Sequence, residues 1–451
     1  MKLPSIQVLR GAAALLVVLY HTRSLEMAGI AAAGGTEAPL VNGLFASGFA
    51  GVDLFFVISG FIMVWVTDAA RSGPATSADF LFARLTRIYP VWWMAAALGL
   101  AYALLSGEVL LSDVQRGLQS PGGNAEFDYV LKSFLLIPQQ EFPILLIGWT
   151  LVHEVYFYIV FALILLLPRQ FMTWALLAWG IAIVGASLAG LSTHTAKDLL
   201  TLVIHPMTME FIFGAAVGLM VTSGLIWRAG IVTLVSVLWL VAAIGLQGVP
   251  GEYTLLWGRV VEIGLPCAGL VYGIACLNLQ DRLAWLIPAG FGALFSALVF
   301  QAFGITPDLP FDVRRSAVIL SVIIGAVAML VVLWAGWLLG QTRPGPLLAT
   351  APFWRALHAA GARIGDWSYS IYLFHLFALG ILQRLMTRVS ADSPLAPYLR
   401  LGAPGNFDNI IYAIGGLLAA IAAGWIGYQL IERPSGNLFS WLRRKLFRRS
   451  N

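Results

Sequence analysis

Two ionisable residues interrupt the first apolar stretch of the chain, Arg10 and His21, and the run between them carries no charge. On a helix, the eleven-residue step between them is a rise of roughly 16 Å and a return to within about 20° of the same face. One stripe thus holds a fixed cation at one level and a titratable imidazole three turns away. Imidazole is the usual general base near neutral pH, and ionisable groups inside a membrane span mark a functional path. Two carboxylates reach a similar depth when counted along their own apolar segments. They are Asp53, in Gly51-Val-Asp-Leu-Phe-Phe-Val-Ile-Ser-Gly60, and Glu154, in Trp149-Thr-Leu-Val-His-Glu-Val-Tyr-Phe-Tyr158. All three groups are expected about 10–13 Å below the outer surface. A carboxylate beside the imidazole would orient it and raise its basicity, so His21, Glu154 and Asp53 form the candidate catalytic set. The competing expectation is that they are buried pairs that only fix helix packing.

A second chemistry lies nearer the opposite surface. Arg84 and Arg87 are three apart and share a helix face. With Arg10 they make three guanidiniums suited to a polyanion such as a nucleotide diphosphate, unless they serve only as cytoplasmic anchors. Tyr20, Trp149 and Tyr158 are candidates for lining a polar cavity, as are Ser368, Tyr369 and His375 in Ser368-Tyr-Ser-Ile-Tyr-Leu-Phe-His375. His375 reads equally well as a satisfied core histidine. Glu210 precedes Gly214 and Gly218, a spacing for close helix contact. The six histidines lack metal-ligand spacing, so no metal is expected. No phosphate-binding P-loop, dinucleotide fingerprint or nucleophile elbow is found.

The elements that must position these residues are membrane helices. Of 451 residues, 59% are hydrophobic and 11% charged, against about 25% charged in soluble domains. The expected architecture is an all-α polytopic bundle of about twelve spans: 6–28, 44–67, 88–106, 145–167, 171–191, 207–223, 228–247, 259–279, 283–304, 317–340, 367–387 and 408–431. His21, Arg23 and Glu26 break the first of them too strongly for a cleaved signal peptide. An even number puts both termini on one side, and 17 of the 27 Lys and Arg fall there. The positive-inside rule makes that side cytoplasmic. The stretch 107–144 is then an outer loop with a surface helix near 127–137. The stretch 341–366 is an inner loop, and 437–451 is a basic cytoplasmic tail after a membrane domain at 1–436. The tail reads as a topology anchor that also meets membrane lipid. The spread of basic residues offers no nucleic-acid surface. Cys267 and Cys276, nine residues apart on one helix, are too distant for a disulfide.

Taken together, the segments resemble the membrane acyltransferase-3 family, in particular bacterial exopolysaccharide O-acetyltransferases. The likeness rests on Arg10 with His21, on Gly51-Val-Asp-Leu-Phe-Phe-Val-Ile-Ser-Gly-Phe61 and on Arg84-Leu-Thr-Arg87-Ile-Tyr-Pro90. It continues through Trp149–Tyr158, Ser368–His375 and the closing Glu432-Arg-Pro434. It implies a ten-span fold in a bacterial inner membrane that moves an acyl group, usually acetyl, from cytoplasmic acyl-CoA to a sugar hydroxyl. It further implies that Arg10, His21, Arg84 and Arg87 are essential and that Glu154 is the family's intramembrane glutamate. The spans at 283–304 and 317–340 look inserted into that fold. On this reading acetyl-CoA is held by Arg10, Arg84 and Arg87. His21 is the general base, oriented by Asp53 or Glu154, and the acceptor is a polysaccharide or lipid-linked glycan. The rival reading is a transporter or flippase for a glycan or acyl donor; a membrane scaffold explains the Arg10–His21 stripe poorly.

Overall fold

The computed structural model describes residues 3–32, 34, 40–106, 123–193, 196–247, 257–304, 309–338, 352–403 and 407–447. Among them there is no strand. Helices are what lipid permits, since a span must satisfy every backbone polar group within itself. Among the described residues eleven helices are long and apolar enough to cross a bilayer, and a shorter one, Gly148–Ile164, takes the place of the expected span at 145–167.

The helices used below are α1 (Pro4–Ala32), α2 (Ala50–Thr67), α3 (Pro74–Ser106), α4 (Gly123–Leu135), α5 (Gly148–Ile164) and α6 (Met172–Leu188). They continue with α7 (Thr208–Thr222), α8 (Ala229–Gln247) and α9 (Trp257–Leu279), which contains a π-turn at Val260–Gly264. The last are α10 (Leu286–Ala302), α11 (Phe311–Leu338), α12 (Pro352–Thr387), α13 (Phe407–Gly427) and α14 (Arg433–Phe447).

Three boundaries differ from those read in the sequence. α3 begins fourteen residues before the expected 88, so Arg84 and Arg87 lie within an established helix rather than at its start. α12 begins at Pro352, inside what reads as an inner loop; 339–351 lie outside the described residues, as do 107–122 of the outer loop. The tail is not a separate segment either. A π-turn at Tyr428–Glu432 carries α13 directly into α14. Pro434 is tolerated there because it falls in the first turn of α14, where its missing N–H costs least. Apolar residues on one face of α14 dock it: Phe439 and Phe447 lie against Phe82 of α3, and Arg443 grips Asp79 with two bonds of 2.5 and 2.6 Å.

Inside lipid, helix association rests on close packing rather than on hydrophobic transfer. α2 and α7 meet through reciprocal glycines. A Cβ on Gly60 would fall on the carbonyl of Phe211, and one on Gly214 would fall on the carbonyl of Val57. α1 and α12 meet in the same manner, with Gly365 against the backbone of Gln7 and Gly11 against Gly365 and Gly361. Gly11 with Gly365 and His21 with His375 share one offset of 354 residues, so the two helices run parallel in constant register. α13 closes on α12 where Gly424 faces Ile371. α10 and α11 pack on each other and on α8, joined by reciprocal bonds of Ser296 and Ser321 hydroxyls to backbone carbonyls at 3.1 and 3.0 Å. They stand away from α1 and α12.

Replacing Gly365 with Ala should therefore force α1 and α12 apart at a cost of about 1–3 kcal/mol, the usual penalty of overpacking. Thermal unfolding in detergent checks this against Gly185→Ala, whose added methyl meets nothing within 4 Å. The first variant should melt several degrees lower and the second no lower than wild type.

Candidate active site

Five helices surround a partly open cavity. α1 contributes Arg10, and α3 contributes Arg84 and Arg87, whose three-residue spacing turns both inward. α5 supplies Glu154 and Tyr158, one turn apart; α2 supplies Phe55 and Ser59; α12 supplies Tyr369 and Tyr372. The Glu154 carboxylate accepts hydrogen bonds from the Tyr158 hydroxyl and, at 3.1 Å, from Ser59 Oγ. Arg10 and Arg84 feel the Glu154 charge, yet among the described residues none of the three arginines is locked in an ion pair. Arg10 donates to Gln7 Oε1 at 3.2 Å, and the buried Nε of Arg84 has no partner. Three cations thus face one space with donors to spare, an arrangement that suits phosphate oxygens.

Arg10 and Arg87 also line a second, open cavity beside the first. Its other walls include Asp366, Glu432, Arg433 and Arg443 from α12, the π-turn and α14. This second space lies where α1 begins and where α13 passes into α14, so Arg10 and Arg87 stand between that end of the bundle and its interior. Glu432, from the closing Glu432-Arg-Pro434, accepts a bond from Ser370 Oγ at 2.6 Å.

His21 lies beyond the inner wall of the first cavity. Phe55 and Tyr372 form that wall, their rings 6.0 Å apart, and Tyr372 stands 6.1 Å from the ring of His375. The Tyr372 hydroxyl is tied to Thr150 at 2.7 Å and to the carbonyl of Ile147 at 3.1 Å. His21 Nδ1 lies 3.1 Å from His375 Nε2 and 3.1 Å from the carbonyl of Val17. Tyr20 packs edge-on against the His21 ring at 5.0 Å.

The expected grouping of His21 with Asp53 and Glu154 is not what the structure brings together. Glu154 sits with the arginines. Asp53 is fully buried, and both its oxygens are taken by Arg259, at 2.8 Å from Nε and 2.7 Å from Nη2. Arg259 also lies 4.9 Å from the Phe49 ring centre. Arg259 stands at the end of its span as the sequence places it, two residues after the start of α9 and just before the π-turn. Glu210 is fully buried beside this pair, its side chain against Gly264. The expected contact at Gly214 and Gly218 is present, with Gly218 against Val64 of α2.

The remaining cavity candidates divide. Tyr158 and Tyr369 line the cavity, and Tyr369 donates to the carbonyl of Ile88 at 2.9 Å. Trp149 packs instead on Phe56 and His153. Ser368 is fully buried without lining the cavity. His375 is the His21 partner that depth counting missed. The equal ten-residue intervals Gly11–His21 and Gly365–His375 are the signal that would have found it.

The acyltransferase-3 family model, described as an acyltransferase domain, matches residues 3–429. The exopolysaccharide production protein ExoZ of Rhizobium meliloti (strain 1021) is 28% identical over 396 residues, covering 86% of this chain and 90% of that protein. No solved structure matches the chain.

The Asp53–Arg259 pair should behave as a structural unit. Removing one partner strands a buried charge, at about 3–5 kcal/mol, so Arg259→Leu should strongly lower the thermal midpoint. Asp53→Leu with Arg259→Leu should recover a large part of the loss. Additive losses in that cycle would show that the two do not act together.

Proposed function

The chain belongs to the acyltransferase-3 family, and from that premise we propose that it transfers an acetyl group from acetyl-CoA to a hydroxyl of a bacterial exopolysaccharide or its lipid-linked precursor. The observation that carries this reading is the set of three arginines, free of ion pairs among the described residues, lining one cavity, two of which also line the open space where α1 begins and α14 starts. We take that end as cytoplasmic, in a bacterial inner membrane, in keeping with its basic residues. The printed name of ExoZ, a relative over most of both chains, supports the choice of acceptor.

The donor enters from the cytoplasm and lays its phosphates on Arg10, Arg84 and Arg87. Glu154, held by Ser59 and Tyr158, offsets part of their mutual repulsion. The pantetheine arm passes the Phe55–Tyr372 wall and brings the thioester to His21. A sugar hydroxyl arriving from the outer side gives its proton to the imidazole as its oxygen attacks the thioester carbonyl. The C–S bond breaks, an ester forms, and the imidazolium returns the proton to the departing thiolate. Asp53 has no step in this scheme, because Arg259 occupies both of its oxygens.

With purified protein, acetyl-CoA and a lipid-linked glycan fraction, thiol release should depend on the acceptor and vanish in His21→Ala, which should still bind acetyl-CoA. Wild-type rates in that variant would sink the assignment. Arg84→Ala should raise the KM for acetyl-CoA about tenfold or more, the scale of a charge-assisted hydrogen bond, and leave acceptor KM unchanged. A change confined to the acceptor would move Arg84 out of the donor site.

A further inference from the structure

Hydrogen-bond directions around His21 can be assigned from heavy atoms alone. A carbonyl oxygen only accepts. His375 Nδ1 lies 2.7 Å from the carbonyl of Tyr372 and 3.2 Å from that of Ile371, so this nitrogen carries the hydrogen. In a neutral ring the lone pair is then on Nε2. That lone pair faces His21 Nδ1 at 3.1 Å, which must in turn be the donor. The Val17 carbonyl, 3.1 Å from the same atom, requires the same, since two lone pairs would repel there. His21 is therefore fixed with its hydrogen on Nδ1 and its lone pair on Nε2. Among the described residues that Nε2 has no protein partner.

The backbone supports this arrangement independently. His375 is fully buried, and the contact ten residues earlier, where Gly11 meets Gly365, keeps α1 and α12 from sliding. No carboxylate bonds to either ring among the described residues. A chain of carbonyl, His375 and His21 thus stands where a carboxylate and a histidine stand in a hydrolase triad.

We propose that His375 is the positioning residue of the reaction, holding His21 in the tautomer whose Nε2 accepts the acceptor hydroxyl's proton. It rests on the reading of His21 as the base. When Nε2 takes that proton, His21 becomes a cation, and its Nδ1–H bond to His375 Nε2 becomes charge-assisted and stronger. The proton itself goes on to the leaving thiolate and never passes through His375.

The test compares His375→Gln with His375→Leu in purified full-length protein of verified thermal midpoint. Glutamine can present an oxygen acceptor near the former Nε2; leucine cannot. His375→Leu should lower kcat by about 10²–10⁴, the contribution of a correctly poised general base, with the KM for acetyl-CoA unchanged. His375→Gln should return to within about tenfold of wild type. In ¹⁵N-histidine spectra, with His21 assigned by its loss in His21→Ala, wild type and His375→Gln should show a protonated Nδ1 and bare Nε2, and His375→Leu a mixture of tautomers. Wild-type kcat in His375→Leu overturns the proposal, as does an equal loss in both variants with the His21 tautomer unchanged. A wild-type protein with this tautomer and no acceptor-dependent thiol release upholds the positioning and overturns the acyl-transfer reading instead.

Discussion

The parallel contact of α1 with α12 governs the site, because it fixes two depths at once. Glycine lets the backbones approach near Gln7 and Gly365, and nothing in lipid would otherwise hold the pair in register, since hydrocarbon competes equally for apolar side chains. Once that contact is set, Arg10 faces α3 across the cavity, and His21 meets His375 three turns further on. A one-residue slip would turn either group by about 100° and take the stripe apart. The other contacts, α2 with α7 and α12 with α13, hold the frame around this axis.

Two groups of charges among the described residues contrast. Asp53 with Arg259, and Arg23 with Glu26 at 2.9 Å, are buried and paired; each charge is answered by its neighbour, and such pairs specify packing more than they add stability. Arg10, Arg84 and Arg87 are not answered in this way among the described residues, and they repel one another. A bundle that retains three such cations around one cavity is less stable than one that neutralises them. The cost is offset if an anionic substrate supplies the missing charge, which favours binding over a purely structural role.

Much of this was legible in the sequence. Each of the twelve apolar runs has its helix, because apolar length in lipid has one structural outcome. Arg10, Arg84, Arg87, Tyr158 and Tyr369 converge on one cavity. The partners of the carboxylates were not legible. Counting residues gives depth along each helix but not its rotation, so Asp53, Glu154 and His21 share an expected level while facing different neighbours. Arg259 falls at the first residue of its apolar run, and a helix end gives no sign of which buried carboxylate it meets. The helical start of α12 was hidden by Arg355 and Arg363, which suit a loop as well as a helix emerging from the bilayer.

The aromatic wall gives this division a chemical reason. A thioester exposed to water near an activated base would be hydrolysed, and excluding water is how a site avoids that loss. Phe55 and Tyr372 separate the arginine cavity from the His21–His375 pair, and the Tyr372 hydroxyl is fastened to α5 rather than left free to bind solvent. The cations and the imidazole pair therefore lie on opposite sides of one aromatic wall. The backbone of α12 joins the two: Tyr369 and Tyr372 shape the first, and the Tyr372 carbonyl orients His375 in the second. On the proposed reaction, admitting a thioester past this wall would displace Tyr372, the residue whose carbonyl accepts from His375 Nδ1.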